Sequence, residues 1–467
     1  MKKRLGKASS ILHQLATLLD RSLSKLSSSA RPADIERLAC MIHDVMSARW
    51  RNYHTSYHLI EVCAPLRDPI EILAALGHDL VYTQVDRRIH PRLEAALRGF
   101  KLNDQCEAHR TSTGADPLPA GDLSPLIFEI FGQEETSLLR PHLGGNELLS
   151  ALAWCDLLSP YLKPEQLLGI ALCIEATIPF RAVSSTLDLP SSRLRNRLLK
   201  MIEHHPHPSL QKLELEPAIR RSVNVGNADV CGLGYDPLGV FLNKSWQVIV
   251  EGNPIFNNPL YSARDYRMAI ARMEAFFSSV IPETIFGHDG SSDSIRRYQA
   301  SSRKARTNLQ HGIHYLESKI LELAFFDSLC ALTGGDAPLL LFFGEPYSKR
   351  GQWYFPIESH LRMQIQTPVR SDPILKLLAL GRSSKNAPGF DISRSPVSAL
   401  IHAQLKPEQR EALTVLRRKF EKGDLSPLHF LGSYPKKILI PLLKASAKIA
   451  TTRSPEILAL ARTLSEA

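Results

Sequence analysis

The side chains best suited to chemistry stand together in Arg49–Tyr82. Tyr53-His54-Thr55-Ser56-Tyr57-His58 is followed, after a segment that reads as helix, by Gly77-His78-Asp79-Leu80-Val81-Tyr82. His54 and His58 are four apart, so on a helix both imidazoles project from one face. His78-Asp79 closes a separate helix, where a ring nitrogen and a carboxylate oxygen can reach one ion together. Imidazole with carboxylate suits a divalent cation such as zinc, manganese, iron or magnesium. Such an ion lowers the pKa of bound water and polarises a phosphoryl oxygen, which is the chemistry of phosphoester hydrolysis.

A His-Asp dipeptide alone says little in a chain with 17 histidines, and this chain has three of them. His43-Asp44 falls inside an amphipathic helix and His288-Asp289 inside a Gly/Ser loop, so both read as structural. Only His78-Asp79 follows an H-x3-H pair and ends an apolar, Ala-rich helix. His204, His205 and His207 alternate with proline and read as an extended loop.

Arg51-x-Tyr53-His54-Thr55-x-x-His58 with His78-Asp79-x-Val81-Tyr82 resembles the metal-dependent phosphohydrolases of the HD superfamily. It is also similar to the Tyr-His-Asn-x-x-His signature of class I cyclic nucleotide phosphodiesterases. The match spans under a tenth of the chain. The resemblance implies an all-α fold, an HD-domain or phosphodiesterase-like helical bundle with a helical C-terminal extension. It implies a divalent metal ion held by His58, His78 and Asp79, with His54 as the general acid for the leaving oxygen. A proton donor placed one helical turn from the metal fits that division of labour.

The resemblance also asks for a further aspartate downstream. Asp229, in Asn227-Ala228-Asp229-Val230 ahead of Trp246 and Glu251, is the expected ligand, and Asp156 in Ala153-Trp154-Cys155-Asp156 is its competitor. Glu147 resembles the acid that orients the metal-bound water. Asn146, Thr177 and Arg181 are expected along the substrate, Arg181 as a bidentate phosphate clamp. Thr83 stands where dinuclear relatives carry another histidine, which leaves the metal count at one or two. Gln84–Pro91 lacks the acidic run of the compact phosphohydrolases.

Most of the remaining chain reads as helix. Ile35, Leu38, Ala39, Ile42, Val45 and Met46 mark one buried face of Ala33–Trp50. Asp68-Pro69-Ile70-Glu71 is a helix start with an acidic cap, a proline in the first turn and a glutamate three residues after the cap. Ser262–Asp265 opens another. Strand patterns are scarce; Trp246–Val250 is the nearest and equally suits a helix. Thr111–Pro125 reads as a loop and Gly381–Pro396 as a linker. The expected partition is a basic segment 1–32, an HD-type domain 33–255, a helical extension 256–375 and a basic helical region 376–467.

The composition is 44 % hydrophobic and 22 % charged, which excludes wholesale disorder, a fibre and a disulfide scaffold. No apolar run reaches the roughly 18–20 residues of a membrane span. Met1–Lys7 is basic, but no continuous apolar stretch or cleavage site follows it, so a cytoplasmic protein is expected. Seven scattered cysteines without a CxxC pair fit free thiols. There is no P-loop, GxSxG or HExxH. The net charge is +10, and residues 1–31 carry seven Lys/Arg against one acid, a balance that attracts anionic partners. The expected partner is a small phosphorylated substrate. The second reading is a non-catalytic HD-scaffold module binding nucleic acid or a partner protein, supported by the basic stretch Arg410–Lys422.

Overall fold

The structure, a computed structural model, describes residues 10–111, 119–181, 189–257, 260–344, 347–349, 352–354, 357–361, 372–382 and 395–466. These are overwhelmingly α-helical. The only strands among them form two short antiparallel hairpins, Phe100–Leu102 with Ala108–Arg110 and Tyr347–Lys349 with Gln352–Tyr354. The all-α class expected from the sequence holds. Contacts divide the chain into two compact units, 1–234 with 280–305 and 235–279 with 306–467.

The longer helices of the first unit up to residue 229 are α1 (Ile11–Lys25), α2 (Pro32–Met46), α3 (Ser56–Cys63), α4 (Pro69–Gly77), α5 (Ser124–Phe131), α6 (Gly145–Leu158), α7 (Pro164–Glu175), α8 (Pro190–His204) and α9 (Leu215–Asp229). Local chemistry sets their starts. Ser10 caps α1 by accepting from the His13 amide, and the Asp68 carboxylate accepts from the Ile70 amide at 2.8 Å. Glu71 reaches back to the Asp68 amide at 3.4 Å, completing the capping box of α4. Leu15, Leu19 and Leu23 of α1 are buried at helical spacing, so the expected basic segment 1–32 contributes to this unit's core. α6 and α7 are apolar nearly all round, with Leu148–Cys155 and Leu167–Ile174 buried throughout. Such helices belong at the centre of a bundle. α7 packs on α4, α6 and α9.

Residues 112–118 of the expected loop Thr111–Pro125, and most of the expected linker Gly381–Pro396, lie outside the described residues. Where the chain is described again, helices begin at Ser124 and Pro396. The expected extended loop at the His-Pro run is shorter than the sequence suggests. α8 carries His204 as its last residue, and a single turn resumes at Pro208.

The second unit is built round Trp246, Tyr266, Tyr315, Phe325, Phe342, Phe430 and Tyr434, all fully buried. Trp246–Val250, the best strand candidate, lies inside the helix Leu238–Glu251. Phe241, Leu242, Trp246, Ile249 and Val250 are its buried side, and that three-and-four spacing outweighs the β-branched run. The Trp246 indole N–H donates to the Tyr266 hydroxyl at 3.0 Å. Residues 235–255, grouped with the first domain on sequence punctuation, cluster with this second unit.

Candidate metal centre

α3 begins at Ser56 with Thr55 at its N-cap, and His58 sits buried in its first turn. His54 therefore lies before the helix, not one turn along it as the four-residue spacing suggests. The two rings still come within 5.6 Å, because the entry turn folds His54 back beside the helix. The His54 ring is held between Tyr53, at 4.9 Å, and Tyr82, at 4.4 Å.

His78 caps the C-terminus of α4. Its Nδ1 lies 2.8 Å from the Ala75 carbonyl oxygen. A carbonyl only accepts, so Nδ1 carries a proton and Nε2 is the nitrogen turned to the carboxylates. Asp79 follows directly, and Asp229 is the last residue of α9. The structure thus brings together residues from three helix ends. His58 Nε2 is 3.4 Å from an Asp79 oxygen and 3.1 Å from an Asp229 oxygen. His78 Nε2 is 3.1 Å from Asp79 and 3.3 Å from Asp229. Nitrogen and oxygen alternate round a four-atom ring. Of the four, the ligand atoms of His58, His78 and Asp229 all lie within 4.8 Å of one another, close enough to share one ion, and Asp79 stands beside them against both histidines. His78 Nε2 and Asp79 Oδ2 are buried and meet no partner outside the ring, where they face each other at 3.1 Å. A buried imidazole nitrogen and carboxylate oxygen this close hold either a proton or a cation between them. The donor set fits a divalent metal.

Without an ion, the ring's electrostatics favour a proton on His78 Nε2, the place a metal would take. Burial alone lowers the pKa of His78, but Asp79 and Asp229 outweigh it and raise the pKa well above the usual value. Burial raises both carboxyls, yet the neighbouring imidazoles prevail. Asp79 is held far below the carboxylate range and Asp229 at about 2.

Arg51, quoted in the sequence motif without a role, anchors this site. Its Nη1 donates to the Asp79 carbonyl at 2.7 Å and its Nη2 to the Leu80 carbonyl at 3.3 Å. The same guanidinium forks onto Asp86, with Nη2–O 2.6 Å and Nε–O 3.1 Å. From α6, the Ser150 hydroxyl accepts from the Val81 amide at 2.9 Å. Asp86 and Ser150 carried no signal in the sequence; their partners are 35 and 69 residues away. Arg51→Ala leaves Asp86 buried and unpaired, at a cost of about 3–5 kcal/mol. It also frees the backbone that aims Asp79, so metal affinity should fall roughly 10–100-fold, the usual effect of losing an outer partner. Urea unfolding and competition with a chromogenic chelator measure the two effects separately.

Glycine lets α4 approach α6. A Cβ on Gly77 would lie 2.1 Å from Cδ1 of Trp154, whose indole N–H donates to the Leu73 carbonyl at 2.7 Å. Gly226, three residues before Asp229, passes the Ala176 carbonyl so closely that its Cβ would be 2.6 Å from the oxygen.

The other expected site residues divide. Glu147, in the first turn of α6, leaves Oε2 buried without a partner. Burial, reinforced by Asp79 and Asp229 and opposed by Arg181, pushes its pKa up to about 7. An acid whose folded pKa exceeds its unfolded value of 4.5 binds more protons when folded. Its contribution to stability therefore falls as pH rises from about 4.5 to 7 and stays at its lowest above that. Glu147→Gln should stabilise chelator-treated protein by about 1–3 kcal/mol at pH 8 and much less at pH 5. Urea titrations at both pH values test the sign.

Asn146 is not open to a substrate. Its Oδ1 accepts from the Thr83 amide at 3.1 Å, and its Nδ2 donates to Gln84 at 2.6 Å. The Thr177 hydroxyl turns back to the Ile174 carbonyl at 2.7 Å. Arg181 is not a free clamp, because Nη1 donates to Glu175 at 2.6 Å and Nη2 to the Glu175 carbonyl. Asp156 lies at the far end of α6 from Glu147 and accepts from the Ala120 amide at 3.0 Å. Thr83 donates its hydroxyl to the Cys106 carbonyl at 2.7 Å, so it offers no ligand for a second ion.

No family model matches the chain, and neither a curated protein nor a solved structure matches it.

Proposed function

We propose that the chain is a metal-dependent phosphohydrolase of the HD superfamily, acting on a small phosphoester such as a nucleotide or cyclic nucleotide. The observation that carries this reading is the ring of His58, His78, Asp79 and Asp229, with two of its buried donor atoms lacking any other partner. These four side chains hold one divalent ion, zinc, manganese, iron or magnesium. When bound, the ion supplies a Lewis acid for the phosphoryl oxygen and activates a water for attack. Glu147, with a pKa of about 7, accepts a hydrogen bond from the attacking water and orients it. His54, close to the ring but outside it, delivers a proton to the leaving oxygen.

Two other readings find less support. Arg417 and Arg418, central to the basic stretch, pair with Glu274, and Arg417 also pairs with Glu421. Arg410 donates to the His402 and Leu405 carbonyls. These arginines are occupied within the second unit, which removes the main support for a nucleic-acid surface. Ser318, His402 and Asp372 form a serine–histidine–aspartate chain with both contacts at 2.9 Å. However, Ser318 is buried within a long helix, with its hydroxyl also 3.0 Å from the His314 carbonyl. That chain ties helices together. Among the described residues, no helix is long and apolar enough to cross a membrane.

The deciding experiment is elemental analysis of the purified full chain after reconstitution with each metal, followed by a panel of phosphomonoesters, cyclic mononucleotides and cyclic dinucleotides. The expected result is about one tightly held ion per chain and metal-dependent turnover of at least one substrate class. Metal that washes off every preparation, with no turnover, overturns the reading.

A further inference from the structure

On a face of the first unit that shares none of the ring's residues, α1 lies across the C-terminal end of α3 and the turn that leads into α4. The groove between them measures about 480 Å³, within the size range of small-molecule sites. α1 contributes two rows at four-residue spacing: His13, Thr17, Arg21 and Lys25 in one, Gln14, Leu18 and Ser22 in the other. Residues in such a row stand about 6 Å apart along the helix. Ile60, Cys63, Leu66 and Ile72 complete an apolar lining, and Arg67 closes the opposite side.

Two independent observations point to a ligand. The first is charge. His13, Arg21, Lys25 and Arg67 line the groove, and no Asp or Glu does so among the described residues. Arg21 and Lys25 are exposed and have no ion-pair or hydrogen-bond partner among the described residues. Arg67 is fixed in place, its Nη1 donating to the Ala64 and Leu66 carbonyls at 2.9 Å each. The second is the Ser22 hydroxyl. Ser22 is 1 % exposed, lines the groove, and its Oγ has no hydrogen-bond partner. A buried hydroxyl without a partner costs on the order of 1–3 kcal/mol, and a ligand oxygen that reached it as the lining gave way would recover that.

We propose that this groove is a second binding site, separate from the metal centre, for a small organic phosphate with an apolar body. Several cations along one groove suit a multiply charged tetrahedral anion better than a single carboxylate, and the apolar lining takes the ligand's carbon skeleton. A groove of this volume between helices fits a free small molecule, since a flat lipid surface would meet only its rim.

The test uses the full chain and phenylphosphonate, an aromatic phosphoryl compound whose C–P bond resists hydrolysis. Calorimetric titration is run on the natural sequence, Asp79→Asn, Ser22→Ala and the double variant Arg21→Gln/Lys25→Gln. Saturable binding of about one ligand that survives Asp79→Asn is expected, because the groove shares no residue with the metal ring. The double variant should weaken it about tenfold or more and Ser22→Ala several-fold. Ser22→Ala removes only a partnerless hydroxyl, so its melting temperature should not fall, which separates lost binding from lost fold. Inorganic phosphate should compete weakly, since it lacks the apolar body. Binding abolished by Asp79→Asn and untouched by the double variant would place the ligand at the metal and overturn the proposal. So would the absence of binding at millimolar phenylphosphonate, or retention only on phosphatidylserine vesicles. Failure here leaves the metal assignment standing, because that rests on metal analysis of a different set of residues.

Discussion

Exchanging Asp229 for asparagine is expected to cost the protein its divalent metal, while the same exchange at Asp156 leaves it in place. Asparagine keeps the shape of the side chain but removes a full negative charge. In this ring that charge counts twice, since the Asp229 carboxylate meets both His58, at 3.1 Å, and His78, at 3.3 Å. Affinity should fall by more than the roughly 10–100-fold typical of losing an outer-shell partner. Asp156 only accepts from the Ala120 amide, and asparagine can still accept there. Its exchange should shift stability by about 1 kcal/mol or less. Parallel metal titrations, with helical circular dichroism as the control for folding, decide it. Metal lost from Asp156→Asn and kept by Asp229→Asn would dismantle the proposed centre.

His54→Ala should separate chemistry from metal binding. His54 is not in the ring of donor atoms, so the variant should load metal normally. Without a proton for the leaving oxygen, turnover of an alkyl or nucleoside ester should drop on the order of 10²–10⁴-fold. A nitrophenyl ester expels a stable anion that needs little protonation and should lose far less. The informative quantity is the ratio of the two losses. Equal losses would assign His54 a role in shaping the site, through its packing on Tyr53 and Tyr82, and would remove it as the acid.

What could be read from the residues follows the range of the interactions involved. The start of α4 was legible because a cap is a contact among neighbours: Asp68, Pro69 and Glu71 sit within four residues. The helical class was legible for the same reason. The His54–His58 spacing does not reveal that the helix starts only at Ser56, with Thr55 in extended conformation at its N-cap, which leaves His54 outside it. Asp229 is 150 residues beyond Asp79, and no local pattern selects it over Asp156; family resemblance alone pointed there. Asn146 and Arg181 have the right chemistry for a substrate, yet both spend it on structure. Arg181 faces Glu175, already paired with Arg197, and Asn146 secures the chain after His78-Asp79. Polar residues at a helix start or end look the same in sequence whether they meet a ligand or their own fold.

The two close glycines constrain how this chain can diverge over generations, and they do so unequally. At Gly77 the obstacle is a side chain, the Trp154 indole. A larger residue at 77 becomes acceptable once 154 has shrunk, so replacements at the two positions should appear together in descendant lineages, with the tryptophan changing first. At Gly226 the obstacle is the Ala176 carbonyl oxygen. Every amino acid carries that atom, so no substitution elsewhere can make room. Across any set of homologues that keep His58, His78, Asp79 and Asp229, position 226 should stay glycine as strictly as the ligands themselves, while 77 covaries with 154.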